Sequence, residues 1–304
     1  MTATREHGSI GNNVKVHFAG TENVDFARIL SHAGVKYFLF TVLAYIKDRF
    51  APSWGSFSCA KNFYAYEELP KISKHSIMDS GLFTLMFGAA KHMKPDEKFI
   101  RSYKDAIVEF ILDKKLDPSI ACVECDCQKL LGTEIAWQLR TQMREQIPNT
   151  VINVFHFEDG KKGLDRMIEF SDYMAISVPE LRIVKPGSYK EDTYRLACYI
   201  KDKKPEIDLH LLGCTEVAML KRIKFATSAD STTWQQINRY GYIKGHHASS
   251  VKQEKYEEKV GDIREILMGM NIEPTERRLR YYYNYWMAGT ILRREYIKAA
   301  GDQD

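Results

Sequence analysis

Short apolar, β-branched runs punctuate this chain, and longer segments of helical period lie between them. The runs are VKVHFAG (14–20), KYFLFTVL (36–43), SIMDSG (76–81), SIACVECD (119–126), TVINVFHF (150–157), YMAISV (173–178), IDLHLLG (207–213) and FATSAD (225–230). Each has the length of a buried strand, although 36–43 also fits a buried helix. Residues 97–115, 128–146, 161–171, 189–202 and 215–223 read as helices. Strands alternating with helices predict βα units around a parallel sheet. Eight such units predict an α/β fold, a TIM (β/α)8 barrel. Two stretches break the rhythm. Residues 45–75, rich in Phe, Tyr and Ser, form an insert after the second strand that suits a lid or binding loop. Beyond the eighth unit, 250–269 and 275–299 predict charged amphipathic helices. The expected organisation is a catalytic barrel over 1–243 and a helical C-terminal extension over 244–304.

Composition narrows this picture only slightly. The 304 residues are 44% hydrophobic, enough for one large core or two ordinary domains. A net charge of +4 permits a nucleic-acid partner without requiring one. The N-terminal MTATREHGSIGNN has no apolar signal core, and the longest apolar run, Tyr37 to Ile46, is too short to span a bilayer. A cytoplasmic protein without a membrane partner is expected. The six cysteines show no disulfide-scaffold spacing, which predicts reduced thiols.

In a TIM barrel the chemistry gathers at the C-terminal ends of the strands. The third run ends at Asp79, followed at once by Ser80-Gly81, and the fourth ends in Glu124-Cys125-Asp126-Cys127. The fifth ends at His156, with Glu158 and Asp159 beyond it; the sixth ends at Ser177-Val178-Pro179-Glu180. The seventh carries His210 and ends at Gly213-Cys214-Thr215, and the eighth ends at Asp230-Ser231. One Asp at such a tip serves as a helix cap. Three Asp and a His around one ring exceed what capping needs. Two carboxylates across a barrel mouth suit chemistry at a sugar C1′, one attacking the anomeric carbon and the other moving a proton.

VKVHFAGTE, MDSGLF, VFHFEDG, HLLGCT and SADSTTW occur in that order over about residues 14–240. Together they resemble the tRNA-guanine transglycosylase superfamily, and more closely its DNA branch, the DNA 7-deazaguanine transglycosylases. The resemblance implies exchange of guanine in DNA for a free 7-deazaguanine base such as preQ0, with no ATP or redox cofactor. Asp230 matches the family's nucleophile and Asp79 its general base. Asp126 matches the carboxylate that reads the guanine edge, and His156 stands where the family places an amide on the base. Phe83 matches a stacking aromatic. Ser80, Ser177 and Val178 fall on the expected pocket wall, and Gly213 would let the backbone approach closely. Duplex DNA would have to present its base outside the stack.

The chain departs from the RNA-modifying members. They carry a Cys-x-Cys-x-x-Cys plus His zinc site after the barrel, whereas no cysteine follows Cys214 here. No cofactor is therefore expected, and Cys125-x-Cys127 or adjacent His246-His247 do not make a tetrahedral zinc site; a site using His210 with cysteines stays open. Where those enzymes grip an anticodon loop, this chain has Ser231-Thr232-Thr233-Trp234, which favours DNA over RNA. Nucleic-acid contacts are expected from Trp234, Arg239, Arg277, Arg278 and Arg280, because arginines hold phosphates and aromatics stack bases. The opposing reading packs the C-terminal aromatics on the barrel. The sequence neither requires nor forbids a homodimer. Three other readings compete: the same exchange on RNA, a catalytically silent nucleic-acid-binding barrel, and an unrelated metal-dependent barrel hydrolase.

Overall fold

The structure, a computed structural model, describes residues 13–50, 62–86, 95–243, 246–247 and 253–303. Eight parallel strands close into a barrel in chain order. They are β1 Lys15–Ala19, β2 Tyr37–Thr41, β3 His75–Asp79, β4 Ile120–Val123, β5 Val151–Phe155, β6 Tyr173–Ser177, β7 Asp208–Leu212 and β8 Ser228–Ser231. The eight strands coincide with the eight apolar runs, β3 starting one residue early and β8 ending one late. β8 pairs back onto β1, with His17 opposite Asp230. The fold is the expected TIM barrel.

The helices in chain order are α1 Val24–His32, α2 Leu43–Phe50, α3 Ala65–Ile72, α4 Leu82–Thr84, α5 Glu97–Asp113, α6 Gln128–Leu131 and α7 Thr133–Gln146. Then come α8 Gly160–Phe170, α9 Val178–Val184, α10 Tyr189–Lys203, α11 Val217–Arg222, α12 Gln236–Tyr240, α13 Gln253–Gly269 and α14 Glu276–Ala300. The single helix expected over 128–146 breaks at Gly132 into α6 and α7. His246 and His247 pair antiparallel with Ile243 and Tyr242.

The ends of the aromatic insert are structural. Tyr45 of α2 stacks on Phe110 of α5 at 5.3 Å, Tyr66 of α3 meets the same ring edge-on at 5.2 Å, and Tyr45 Oη accepts a hydrogen bond from Ala65 N–H. These aromatics build the outer core, so they cannot serve as a free lid. Residues 51–61, the middle of the insert, lie outside the described residues.

The C-terminal extension is present as α13 and α14, and α14 packs in the helix ring between α1 and α11. Its end is tied to the base of the barrel: Val14 N–H donates to Ala300 O at 3.0 Å, and Val16 N–H donates to the Gln303 side chain at 2.9 Å. From there α14 climbs past the strand ends, since a helix rises about 1.5 Å per residue. Its first turns reach the loop after β8, where Asn238 Nδ2 donates to Tyr281 O. Among the described residues, no helix is long and apolar enough to cross a membrane.

The barrel interior has two unlike sides. Leu39, Ile77, Ala121, Val123, Ile152 and Val154 line the side built by β2 to β5, joined in one apolar cluster by Ala19, Tyr173 and Ala175, while His75 of β3 reaches across to His17 at 2.9 Å. Tyr173, His210, Ser228 and His17 fill the side built by β6, β7, β8 and β1, all of them buried.

Candidate active site

At the C-terminal ends of the strands a cavity of about 240 Å³ opens among Glu22, Leu39, Asp79, Phe83, Asp126, Ser177, Gly213 and Asp230. Pockets for drug-sized ligands run from about 300 to 1,000 Å³, so this one suits a single flat heterocycle. Two glycines shape the site: Gly213 lines the cavity, and Gly81 follows the wall residue Ser80. Gly81 has φ +73°, and a Cβ there would lie 2.6 Å from Leu43 Cβ; Gly213 has φ +63°, and a Cβ there would lie 2.6 Å from Pro179 Cγ. Both positions need a left-handed backbone and an empty side-chain volume, which only glycine supplies.

Asp79 ends β3 above the apolar side of the interior. Its Oδ2 accepts a hydrogen bond from Gly81 N–H at 2.9 Å, so the cap-like turn foreseen for Asp-Ser-Gly does form. Burial, then the neighbouring carboxyls of Asp126, Asp230 and Glu22, push the Asp79 carboxyl up from 3.8 to about 7. Desolvation and like charge both penalise the ionised form. Glu22, in the loop after β1, lines the same cavity, and burial pushes it up to about 7 as well. The motif GTE contained this residue without marking it; its only signal was its place three residues past a strand end, the offset that Asp126 has from β4.

Asp230, in β8, faces donors. Its Oδ1 accepts from Gly213 N–H at 2.7 Å and from His210 Nε2 at 3.0 Å. Asp79 and Asp230 thus reach one cavity from β3 and β8, three strands apart in the barrel, the first over an apolar layer with one N–H donor and the second, itself buried, held by two.

Asp126 lines the cavity and is anchored from behind. His156 Nε2 lies 2.9 Å from Asp126 Oδ2, and His156 Nδ1 lies 2.6 Å from Glu180 Oε2. Lys129 Nζ closes the row 3.0 Å from Glu180 Oε1. Burial alone would lower the His156 imidazole, but contacts with Asp126 and Glu180 outweigh it and hold it up at about 10. The same imidazole, with Lys129, holds Glu180 below its usual range against the effect of its burial. Asp126, His156, Glu180 and Lys129 therefore form a row of alternating charge. His156 does not line the cavity, which corrects the expectation that it touches the base; it orients Asp126 instead. His156, Glu158 and Glu180 lie close enough together to hold a metal ion. A protonated imidazole offers no lone pair, so this histidine would have to lose a proton first.

The remaining expected residues divide. Ser80 lines the cavity, and its carbonyl accepts from Tyr103 Oη at 2.6 Å. Phe83 stands at the rim, 52% exposed. Ser177 lines the wall, but Val178 beside it is buried in the core as the first residue of α9, and Pro179 takes its place on the wall. Trp234 is 1% exposed; it donates to Ala19 O at 2.7 Å and packs on Phe26 and Tyr285. It is a core residue that ties α14 to the barrel and has no face for a base. Arg239, Arg277, Arg278 and Arg280 are exposed. Arg277, Arg278 and Arg280 line one shallow groove with Asn238 and Tyr281, at the end of the ring helices that the strand tips share. Arg280 lies over the Tyr256 ring at 4.7 Å.

The described cysteines are free thiols. Burial pushes the Cys127 thiol up to about 12 and Cys125 well above its ordinary value, as expected of thiols enclosed in a packed interior. His210 gives both ring nitrogens to Ser228 and Asp230, and Cys214 Sγ points to Met219 Sδ, so the two do not form a joint metal site. No protein-family model matches this chain, and no curated protein matches it.

Proposed function

We propose that this protein is a base-exchange transglycosylase that replaces guanine in DNA by a free 7-deazaguanine such as preQ0. The carrying observation is that Asp79 and Asp230, from strands β3 and β8, line one cavity the size of one base in different surroundings. Asp230 attacks C1′ of the target nucleotide through Oδ2 while Gly213 N–H and His210 hold Oδ1. The bond from C1′ to guanine N9 breaks, and Asp79, with a carboxyl at about 7, gives its proton to the leaving base. The incoming base then returns that proton to Asp79 as its own N9 attacks C1′ and releases Asp230. One bond replaces a similar one and the proton is conserved. A carboxyl near the working pH serves both directions.

Asp126 accepts from the N–H groups of the guanine-like edge, and the His156 row behind it keeps the carboxylate in place. Phe83 stacks on the base from the rim. The arginines of α12 and α14 hold the DNA backbone beside the mouth, contributing charge and not sequence reading. The protein would act in the cytoplasm on extruded or single-stranded bases.

The test is nucleoside mass spectrometry. Purified protein is incubated with guanine-containing DNA and preQ0, with Asp230→Ala alongside, and the digested DNA is searched for the deaza-nucleoside. Product from wild type and none from the variant is expected. Product on tRNA but not on DNA would overturn the DNA assignment, and product on neither would overturn base exchange with this base.

A further inference from the structure

A polar column runs beneath Asp230 through the part of a TIM barrel that apolar side chains normally fill. Tyr173 Oη of β6 lies 2.5 Å from Ser228 Oγ of β8, Ser228 Oγ lies 2.5 Å from His210 Nδ1 of β7, and His210 Nε2 lies 3.0 Å from Asp230 Oδ1. Every member below Asp230 is buried, and His210 is 0% exposed. Chemistry fixes the direction of these bonds. A carboxylate only accepts, so Nε2 must carry the proton that it shares with Asp230. In a neutral ring Nδ1 then has only a lone pair, so Ser228 O–H donates to it. Ser228 has spent its proton, so Tyr173 O–H donates to Ser228. With a neutral ring, one orientation satisfies the whole chain.

The groups that face His210 are His17 of β1, with ring centres 6.2 Å apart, Tyr173 at 6.5 Å, and Ser228 and Asp230 of β8; His75 of β3 reaches it through His17. Burial, then His75 and His210, holds the His17 imidazole well below its ordinary value, and burial and His210 lower His75.

We propose that Tyr173, Ser228 and His210 form a one-way hydrogen-bond relay that fixes the attacking oxygen of Asp230, with His210 as its positioning residue. Resting on the reading of Asp230 as nucleophile, the column pins Oδ1 on two N–H groups, Gly213 and His210, so that Oδ2 is presented to C1′ in one rotamer. Packing would need none of this polarity. Leu, Val and Ile fill the other side of the same barrel.

Two measurements on the full chain test the relay. Long-range ¹H–¹⁵N NMR of ¹⁵N-histidine-labelled protein reads the tautomer without any substrate. A neutral His210 with Nε2 protonated is expected at pH 7, with that tautomer's population falling in Ser228→Ala. A cationic ring or an Nδ1-protonated ring would overturn the proposal. In kinetics, His210→Leu is expected to slow formation of the glycosyl-enzyme by about 10²–10³, the cost of losing one aimed donor. KM for DNA should stay within about threefold, because the lost bond acts on the attacking group and not on substrate binding. His210→Gln keeps an N–H donor and should recover part of the rate. Should His210→Leu fail to fold, Ser228→Ala and Tyr173→Phe keep the test open, each with a smaller fall in rate and an unchanged KM. An active wild type with full rate in a folded His210→Leu, or in both Ser228→Ala and Tyr173→Phe, would refute the relay alone. An inactive wild type with the expected tautomer would instead refute the proposed reaction.

Discussion

The two sides of the barrel interior give two carboxyls of one cavity different surroundings. On the β2 to β5 side, Asp79 stands over Leu39, Ile77, Ala121 and Val123, with one backbone N–H as its hydrogen-bond donor. On the β6 to β1 side, Asp230 stands over Tyr173, Ser228, His210 and His17, and two N–H groups converge on one oxygen. Burial without compensation raises a carboxyl, whereas hydrogen bonds to the charged form oppose that rise. Under the proposed mechanism the floor beneath each residue matches its task, a carboxyl that exchanges a proton near neutral pH and a carboxylate held for attack.

The largest expected effect breaks the polar side. Asp230→Asn should lower base exchange by at least about 10⁴, since removing a covalent nucleophile leaves only binding and the surrounding field; single-turnover product formation measures it. Next comes the apolar side. Asp79→Asn should lower the rate by about 10²–10⁴, the usual worth of a positioned proton donor and acceptor.

The same variant separates chemistry from stability. The folded-state value of Asp79 is raised, so its stabilising contribution is whole below 3.8 and is lost as pH rises from 3.8 through about 7. Asp79→Asn escapes that loss and should be more stable than wild type at pH 8, by up to about 4 kcal/mol for a shift of about three pH units. Urea unfolding at pH 4 and pH 8 checks this, and equal differences at both pH values would contradict burial as the cause. The rim comes third: Phe83→Ala should weaken base binding by about 1–3 kcal/mol, read as a raised KM for the incoming base. The smallest effect lies farthest from the cavity. Replacing Arg277, Arg278 and Arg280 together by Gln should reduce the slope of log affinity against log salt by about 2–3 while leaving single-turnover chemistry intact, as measured by DNA titrations at several ionic strengths.

All eight strands were legible in the sequence because both faces of a parallel barrel strand are covered, so each reads as an unbroken apolar run. Helices α1, α2, α3 and α9 were not, being seven to nine residues long and sharing their apolar positions with adjoining strands or the aromatic insert. Asp79, Asp126, Ser80, Phe83, Ser177, Gly213 and Asp230 were legible as strand-tip residues and do meet at one cavity. Side-chain direction was not legible. His156 lies near a strand end yet turns behind Asp126, because two carboxylates there attract its ring nitrogens. Trp234 follows Asp230 by four residues but points into the ring of helices, where Phe26 and Tyr285 bury it. Most of the C-terminal aromatics likewise pack on the barrel while Arg277, Arg278 and Arg280 of the same helix stay in water, a split that follows from where α14 docks and not from its composition.

The proposed function stands on Asp230 becoming covalently joined to the sugar while Asp79 handles the proton. Mixing the protein with guanine-containing DNA, withholding the incoming base, quenching in acid and mapping the adduct by peptide mass spectrometry reads that step itself. A deoxyribosyl ester on Asp230, formed also by a slowed Asp79→Asn and absent from Asp230→Asn, is the predicted result. An adduct on Asp79, or turnover by wild type with no adduct on either residue, would contradict it.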